Sequence, residues 1–106
     1  MGWLEIIQAV KFKIGEKIVI IGDSTNYDIC DLIYVAMRDK SCDPDFLLLD
    51  AFGRPIFDSV TLEKIKEQLN DATFIVDGAT YRKEEAKLAD IVKTEANRLG
   101  NNYVRF

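Results

Sequence analysis

The sequence predicts an α/β fold of three layers, in which a parallel sheet of about four strands carries helices on both faces. Short apolar runs rich in β-branched residues alternate along the chain with segments of helical periodicity, the order that parallel sheets with crossover helices require. The run at residues 17–22 is apolar without alternation, as in a strand that is buried on both faces. The chain has 106 residues, a length that suits a single domain spanning residues 1–106.

The first half of the chain predicts two helices and two strands. A short helix opens it, because apolar residues recur at i, i+3, i+4 and i+7, namely Trp3, Ile6, Ile7 and Val10. A strand over residues 17–22 follows, and the next three residues, Asp23, Ser24 and Thr25, supply cap chemistry for a second helix. The inner face of that helix is predicted to carry Ile29, Leu32, Ile33 and Ala36, with Tyr34 and Met37 beside them. Pro44 ends the helical pattern, and residues 46–50 form the second predicted strand.

The second half predicts two further pairs of a helix and a strand. An apolar loop at residues 52–57 leads to a helix that is capped by Ser59 or Thr61 and turns Leu62, Ile65 and Leu69 inward. Residues 73–77 form the third predicted strand, and Thr80 is expected to cap the last helix. That helix has Leu88, Val92, Ala96 and Leu99 on its inner face, is closed by Gly100, and precedes a fourth strand at 103–106. The order of elements is typical of Rossmann-like and flavodoxin-like sheets.

Composition excludes several functions. The chain contains no His, which removes Ser-His-Asp and Cys-His nucleophilic sites and His-ligated zinc. Its net charge is −4 and its basic residues are interspersed with acids, so nucleic acid is not an expected partner. No apolar run approaches the roughly 20 residues of a membrane span, so a membrane is not an expected partner either. Cys30 and Cys42 have no C-x-x-C spacing and fit the reduced thiols of a cytoplasmic protein, the alternative being a disulfide in a secreted one.

The candidate ligand site lies beyond the carboxyl ends of the strands, where open parallel sheets bind their ligands. The residues expected there are Asp23, Ser24, Thr25, Asp50, Asp77 and Thr80. Three aspartates on one rim would suit Mg²⁺, as in the acidic pocket of response-regulator receiver domains. Receivers also carry an acidic pair after the first strand and a lysine after the last, and neither is found here. Residues of these types after a strand are also common helix caps, which is the simpler interpretation.

A protein-binding surface is the other candidate site. Aromatic residues at the ends of elements and in loops form the predicted interface, which consists of Trp3, Phe52, Phe57, Tyr103 and Phe106. The last predicted strand would otherwise present an open edge to solvent. We therefore expect a protein partner, either a second copy in a homodimer or another domain. The alternative is a satellite cluster of apolar side chains beneath the 52–57 loop.

Three stretches of the chain resemble aminopeptidase T-type metallopeptidases, also called the thermophilic aminopeptidase family. Residues 4–21 combine an amphipathic helix, a Lys-Ile-Gly-Glu turn and a buried strand; residues 69–76 lead an acidic-Ala step into a strand; and the last helix ends in Leu99-Gly100 before a strand. The resemblance covers nearly the whole chain, as the family's N-terminal α/β domain. That family places its two-metal centre in a separate C-terminal domain with Glu, His and Asp ligands, so no catalytic residue is carried over. The resemblance implies a non-catalytic domain that contributes to substrate access or to dimer contacts.

The expected function is therefore that of a non-catalytic scaffold or interaction domain. No catalytic constellation, metal-ligand cluster or cofactor motif is found in the sequence, so the chain on its own is not expected to be an enzyme. Two alternatives stay open. One is a receiver-like module that binds a small ligand or Mg²⁺ through the strand-end aspartates, and the other is a stand-alone small protein that binds other proteins.

Overall fold

A computed structural model describes residues 4, 5, 8 and 11–106 of the chain. In this part the strands are β1 (Lys17–Gly22), β2 (Asp43–Leu48), β3 (Phe74–Asp77) and β4 (Tyr103–Arg105), and the longer helices are α1 (Tyr27–Asp39), α2 (Ser59–Asn70) and α3 (Ala86–Leu99). Short 3-10 turns lie at Leu49–Phe52, Lys83–Glu85 and Gly100–Asn102. Among the described residues, no helix combines the length and the apolar character that a membrane crossing needs. The predicted first helix rests on Trp3, Ile6, Ile7 and Val10, which lie outside the described residues.

The described strands form one parallel sheet in the order β2-β1-β3-β4. In the central register, Ile20 of β1 lies between Phe46 of β2 and Val76 of β3. The predicted three-layer α/β fold with about four parallel strands is confirmed.

Helices cover both faces of this sheet. β2 lies on one side of β1 in the sheet, whereas β3 and β4 lie on the other side, so the direction of the strand-to-strand connections reverses after β2. Because such crossovers are right-handed, α1 packs on one face of the sheet and α2 and α3 pack on the other. On the α1 face, Cys30, Ile33 and Met37 pack against Ile18, Ile20, Phe74 and Val76. On the opposite face, the core contains residues of α2 and α3 packed on β1 and β3, among them Leu62, Ile65, Leu69, Leu88, Val92, Val19, Ile21 and Ile75.

The strand β1 is the centre of the fold. Ile18, Val19, Ile20 and Ile21 have no exposed surface, as the unbroken apolar run predicts. Burial of each such side chain contributes roughly 1.5–3 kcal/mol to the stability of the fold. β1 is therefore firmly held, and the loop that follows its carboxyl end starts from a fixed position.

Several local predictions were wrong. Leu32 points outward and is 53 % exposed, because Cys30 and Met37 take the inner positions of α1. The cap of α2 is Asp58, whose carboxylate accepts the N–H of Thr61 at 2.9 Å, instead of Ser59 or Thr61. Thr80 caps no helix, since α3 begins only at Ala86.

The second strand also begins earlier than predicted. β2 starts at Asp43 and includes Pro44, and it ends at Leu48 before a 3-10 turn. Pro44 is tolerated there because β2 lies at the edge of the sheet, where a missing N–H leaves no neighbouring strand unpaired.

Candidate functional site

The ligand-binding position of this topology lies between β1 and β3. These two strands are neighbours, but the chain leaves β1 towards β2 on one side and leaves β3 towards β4 on the other. The loops that follow them therefore diverge and open a crevice, which is where open α/β sheets bind ligands. Residues 22–26 and 77–81 line this crevice.

Asp23 lies at the floor of the crevice and is buried. Its Oδ1 accepts the N–H and the hydroxyl of Thr25, and its Oδ2 accepts the N–H of Thr80 at 2.9 Å. Burial by itself raises the pKa of the Asp23 carboxyl, but the hydrogen bonds from Thr25 and Thr80 and the nearby charge of Arg54 together lower it. Asp23 is thus an ionised carboxylate whose acceptor positions are used by its own chain.

Arg54 closes the crevice from above. This residue belongs to the loop between the 3-10 turn and α2, yet only 6 % of its side chain is exposed. Its Nη2 donates to the carbonyl of Thr80 at 2.6 Å and to Glu85, and its Nε donates to Oε2 of Glu85 at 3.0 Å. Its Nη1 lies 3.8 Å from Oδ2 of Asp23. The guanidinium therefore lies over the crevice, between Asp23 and the loop that follows β3.

Glu85 is the fully buried partner of Arg54. Besides Arg54, its carboxylate accepts the N–H of Arg82 at 2.8 Å and the N–H of Ile56 at 2.9 Å. Burial raises the pKa of Glu85, but the bonds from Arg54 and from these two N–H groups outweigh it and lower the pKa to about 2. Both the loop before α2 and the turn before α3 are fixed on this one carboxylate.

Asp50 is the most exposed acid of the crevice. Its Oδ1 accepts the N–H of Ser24 at 3.1 Å and lies 3.9 Å from Nη1 of Arg54. Asp50 and Asp23 thus share the charge of Arg54, so the predicted strand-end residues Asp23, Asp50 and Thr80 do come together. Ser24 and Thr25 are exposed and line an open depression of about 230 Å³ at the start of α1.

Asn26 ties the two walls of the crevice to each other. Its Oδ1 accepts the N–H of Asp23 at 2.9 Å, and its Nδ2 donates to the carbonyl of Gly78 in the opposite loop. The Asn26 side chain therefore bridges the loop that follows β1 and the loop that follows β3.

Asp77 lies apart from the other aspartates in a cluster of its own. Its Oδ2 accepts hydrogen bonds from the hydroxyls of Tyr81 and Tyr103, at 3.0 and 2.6 Å, and from Nη1 of Arg105 at 3.0 Å. Its Oδ1 accepts the N–H of Ala79. Burial raises the pKa of both tyrosines above the ordinary range, and the charge of Asp77 and the hydrogen bonds to it raise the pKa of each further. This cluster fastens β4 to β3.

The carboxylates of the crevice are hydrogen-bonded to groups of the chain itself. Across residues 4, 5, 8 and 11–106, no group of three or more acidic or thiol side chains is placed to hold a metal ion. In the same part of the chain, every buried side-chain nitrogen or oxygen has a hydrogen-bond partner. The crevice therefore presents no uncommitted buried acid, base or nucleophile.

Sequence reasoning missed Arg54 and Glu85. They are 31 residues apart, and nothing in a single sequence pairs them. The one available signal is an arginine inside an otherwise apolar loop, Phe52-Gly53-Arg54-Pro55-Ile56-Phe57.

The predicted interface residues divide into two groups. Phe57, on the loop before α2, is 62 % exposed, and Phe52, the last residue of the preceding 3-10 turn, is also exposed. Tyr103 is half-buried in the Asp77 cluster, and Phe106 is half-buried against the α1-side core. Trp3 lies outside the described residues.

Fold and site together define a parallel α/β domain in which Arg54 and Glu85 lie over the strand-end crevice, beside an open depression at Ser24 and Thr25. No family model, no curated protein and no solved structure matches the chain.

Proposed function

We propose that this chain is a non-catalytic α/β scaffold or interaction domain, comparable in role to the N-terminal domain of aminopeptidase T-type metallopeptidases. The observation that carries the proposal is the position of Arg54, which lies over the switch-point crevice, bound to Glu85 and beside Asp23. A side chain held on several partners in this way is costly to displace, because its departure would leave Glu85 buried and unpaired.

The surface of the domain supports binding to a protein. Large apolar side chains are exposed on the described part of the chain, among them Phe57, Val60, Leu32 and Val35. Exposed apolar side chains of this kind stabilise a complex when a partner buries them. The partner in this proposal is another protein or domain. Both cysteines are free thiols, which suits the reducing conditions of the cytoplasm, where we place the protein.

The test is a search for ligands and for hydrolysis on the intact chain. We expect titration with Mg²⁺ and with inorganic phosphate to leave the NMR resonances of residues 22–26, 50 and 77–81 unchanged. Exposed Asp90 serves as the control for weak, non-specific ion binding. Saturable shifts at Asp23, Asp50 and Asp77 that are absent at Asp90 would establish the receiver-like alternative instead.

Hydrolysis is tested separately. The chain is incubated with fluorogenic peptides in the presence of Co²⁺ or Zn²⁺, and we expect no turnover above a blank that contains the metal alone. Turnover that co-purifies with the chain and is lost in Asp23→Asn would show that the domain is an enzyme.

A further inference from the structure

The strand β4 forms one edge of the sheet. Among the described residues it pairs on one side only, with β3. An edge strand presents N–H and C=O groups that have no ladder partner, and such a row is a template for pairing with a further strand. The open side of β4 is therefore a surface on which another strand can bind.

The register of β4 on β3 decides which backbone groups face outward. Phe106 donates its N–H to the carbonyl of Asp77 at 3.1 Å, and Asp77 lies opposite Arg105. Along a strand, alternate residues direct their N–H and C=O groups to opposite sides. Val104 and Phe106 therefore direct their N–H groups towards β3. Tyr103 and Arg105 direct both of their backbone polar groups away from the sheet, so the open side of β4 carries donors as well as acceptors.

The opposite edge of the sheet is protected against pairing, and the β4 edge is not. In β2, Asp43 donates its N–H to the carbonyl of Glu16 on the β1 side, so the next residue, Pro44, faces outward. Proline lacks an N–H, and outward prolines and charges keep edge strands from pairing. β4 contains no proline, and its one charged side chain, Arg105, binds Asp77 of β3 at 3.0 Å. The guanidinium is thus drawn back over the sheet and leaves the edge open.

A second copy of β4 fits the outward groups in one register. When two β4 strands run antiparallel with Val104 on the twofold axis, Tyr103 of each copy lies opposite Arg105 of the other. Residues opposite each other in this way exchange both of their backbone hydrogen bonds, so every outward group of the two strands is paired. The two Val104 residues then form the non-hydrogen-bonded pair at the centre, where the Cα atoms are about 4.5 Å apart.

The side chains favour the same register. Val104 packs against the α1-side core, so two copies would bring their Val104 side chains together as an apolar pair on that face. On the other face, Arg105 of one copy would lie beside the ring of Tyr103 of the other, which is a favourable pair. A twofold axis at Arg105 would instead set two like charges opposite each other. An axis at Tyr103 would set Arg105 against Asn101, which lies in a 3-10 turn.

Self-complementarity distinguishes a second copy from other partners. A symmetric dimer places one and the same surface of each copy in contact, so that surface must match itself. An extended segment of another protein would gain the same backbone hydrogen bonds at this edge. A second copy gains them too, and it also supplies the Val104 pair and the two pairs of Arg105 with Tyr103.

We propose that β4 pairs with β4 of a second copy in an antiparallel register centred on Val104, which joins the sheets of the two copies into one. The inference rests on the proposed function, since it names the partner of the interaction domain. A contact confined to one short strand is smaller than the roughly 1,200–2,000 Å² of a standard stable interface, so the dimer should dissociate on dilution.

The first experiment combines sedimentation with amide hydrogen exchange on the whole chain. Sedimentation at increasing concentration should show a monomer that converts to a dimer. Exchange of the Tyr103 and Arg105 N–H groups, followed by NMR, should become slower by about tenfold or more as the dimer forms. The N–H of Val104 should be protected at every concentration, because it is bonded to β3. A dimer in which Tyr103 and Arg105 exchange as they do in the monomer would use another surface and would overturn the proposal.

A cysteine at position 104 tests the register. Val104→Cys in a Cys42→Ser background puts one thiol of each copy on the twofold axis, and Cα atoms about 4.5 Å apart lie within the range of a disulfide. We expect oxidised glutathione to convert this variant to a covalent dimer. Val60→Cys in the same background is the control, because Val60 lies on α2 and is 66 % exposed, and it should not be cross-linked. Equal cross-linking at both positions, or none at position 104, would overturn the proposal.

Another protein as the occupant of the edge has its own signature. A chain that stays monomeric up to about 1 mM would overturn the proposal and leave the β4 edge to a strand of a different protein. Failure here is distinguishable from failure of the proposed function, which is judged by ligand shifts in the crevice and by peptide hydrolysis. Neither of those readouts requires that two copies meet at β4.

Discussion

The ring of Phe106 lies against the backbone of Gly78, in the space that a side chain at position 78 would occupy. A Cβ placed on Gly78 would come within 2.7 Å of both Cε atoms of Phe106. Phe106 also donates its N–H to the carbonyl of Asp77 at 3.1 Å. Since Gly78 follows β3 and Phe106 follows β4, this contact joins the ends of two neighbouring strands.

Gly78→Ala should destabilise the fold by about 1–3 kcal/mol, because the new methyl group must displace the ring of Phe106. Urea denaturation of the variant gives the free energy of unfolding. The cost of Gly78→Ala should largely disappear in a Phe106→Ala background, where the ring is gone. Equal costs in both backgrounds would mean that the two residues are not coupled.

Glu85→Gln should lower the free energy of unfolding at neutral pH by about 3–5 kcal/mol, because it leaves the buried guanidinium of Arg54 without its carboxylate. The pKa of Glu85 is lowered from 4.5 to about 2 in the folded chain, so the stabilisation is complete above about pH 4.5. It is lost as the pH falls from there towards 2. Glu85→Gln should remove this component of the acid dependence, which urea denaturation across that pH range measures.

The control for this variant is Glu84→Gln, in the same turn. Glu84 is exposed, and its substitution should change the free energy of unfolding little. A wild-type acid dependence in Glu85→Gln would contradict the role given to this carboxylate.

The two thiols should differ in reactivity. Burial, followed by the charges of Asp23 and Asp77, raises the pKa of Cys30 to about 11, and its Sγ lies 2.5 Å from where a Cβ on Gly22 would stand. Cys42 is only half-buried. A thiol reagent should therefore modify Cys42 in the folded chain and Cys30 only in denaturant, as mass spectrometry of the peptides would show. In Cys42→Ser the labelling of the folded chain should vanish, whereas persistent labelling would place Cys30 within reach of solvent.

The layers and the strands of this fold could be predicted because they follow from local patterns. The predicted first strand coincides with β1, and Gly100 closes α3 with a φ of +57°. Leu32 was placed wrongly because apolar residues occupy more than one side of α1. Which side faces the sheet is decided by packing around Cys30 and Met37 and not by spacing alone.

The candidate site could be predicted only in part. Its position follows from topology, which sets Asp23, Asp50 and Thr80 at the same rim. What fills the rim could not be predicted, since the Arg54–Glu85 pair is a contact between two loops far apart in the chain. Asp77 was grouped with the other aspartates because it ends β3, but its carboxylate accepts hydrogen bonds from Tyr81, Tyr103 and Arg105.

The stability of the fold should decline at alkaline pH because of Tyr81 and Tyr103. Both hydroxyls donate to Asp77, and ionising either would set two negative charges side by side in a buried position. Burial, and then Asp77, raise the pKa of both tyrosines above the ordinary value of about 10. Their contribution is therefore complete below about pH 10 and is lost as the pH rises above it.

Tyr103→Phe tests this assignment. The variant should lose about 1 kcal/mol of stability at neutral pH, the net value of one hydrogen bond, and should show a shallower alkaline decline. Tyr34→Phe is the control, since Tyr34 packs against the α1-side core, away from Asp77. Tyrosinate absorbance from Tyr81 and Tyr103 should appear only together with unfolding. If Tyr103→Phe and Tyr34→Phe decline alike with pH, the Asp77 cluster is not the cause, because of these two substituted tyrosines only Tyr103 donates a hydrogen bond to that carboxylate.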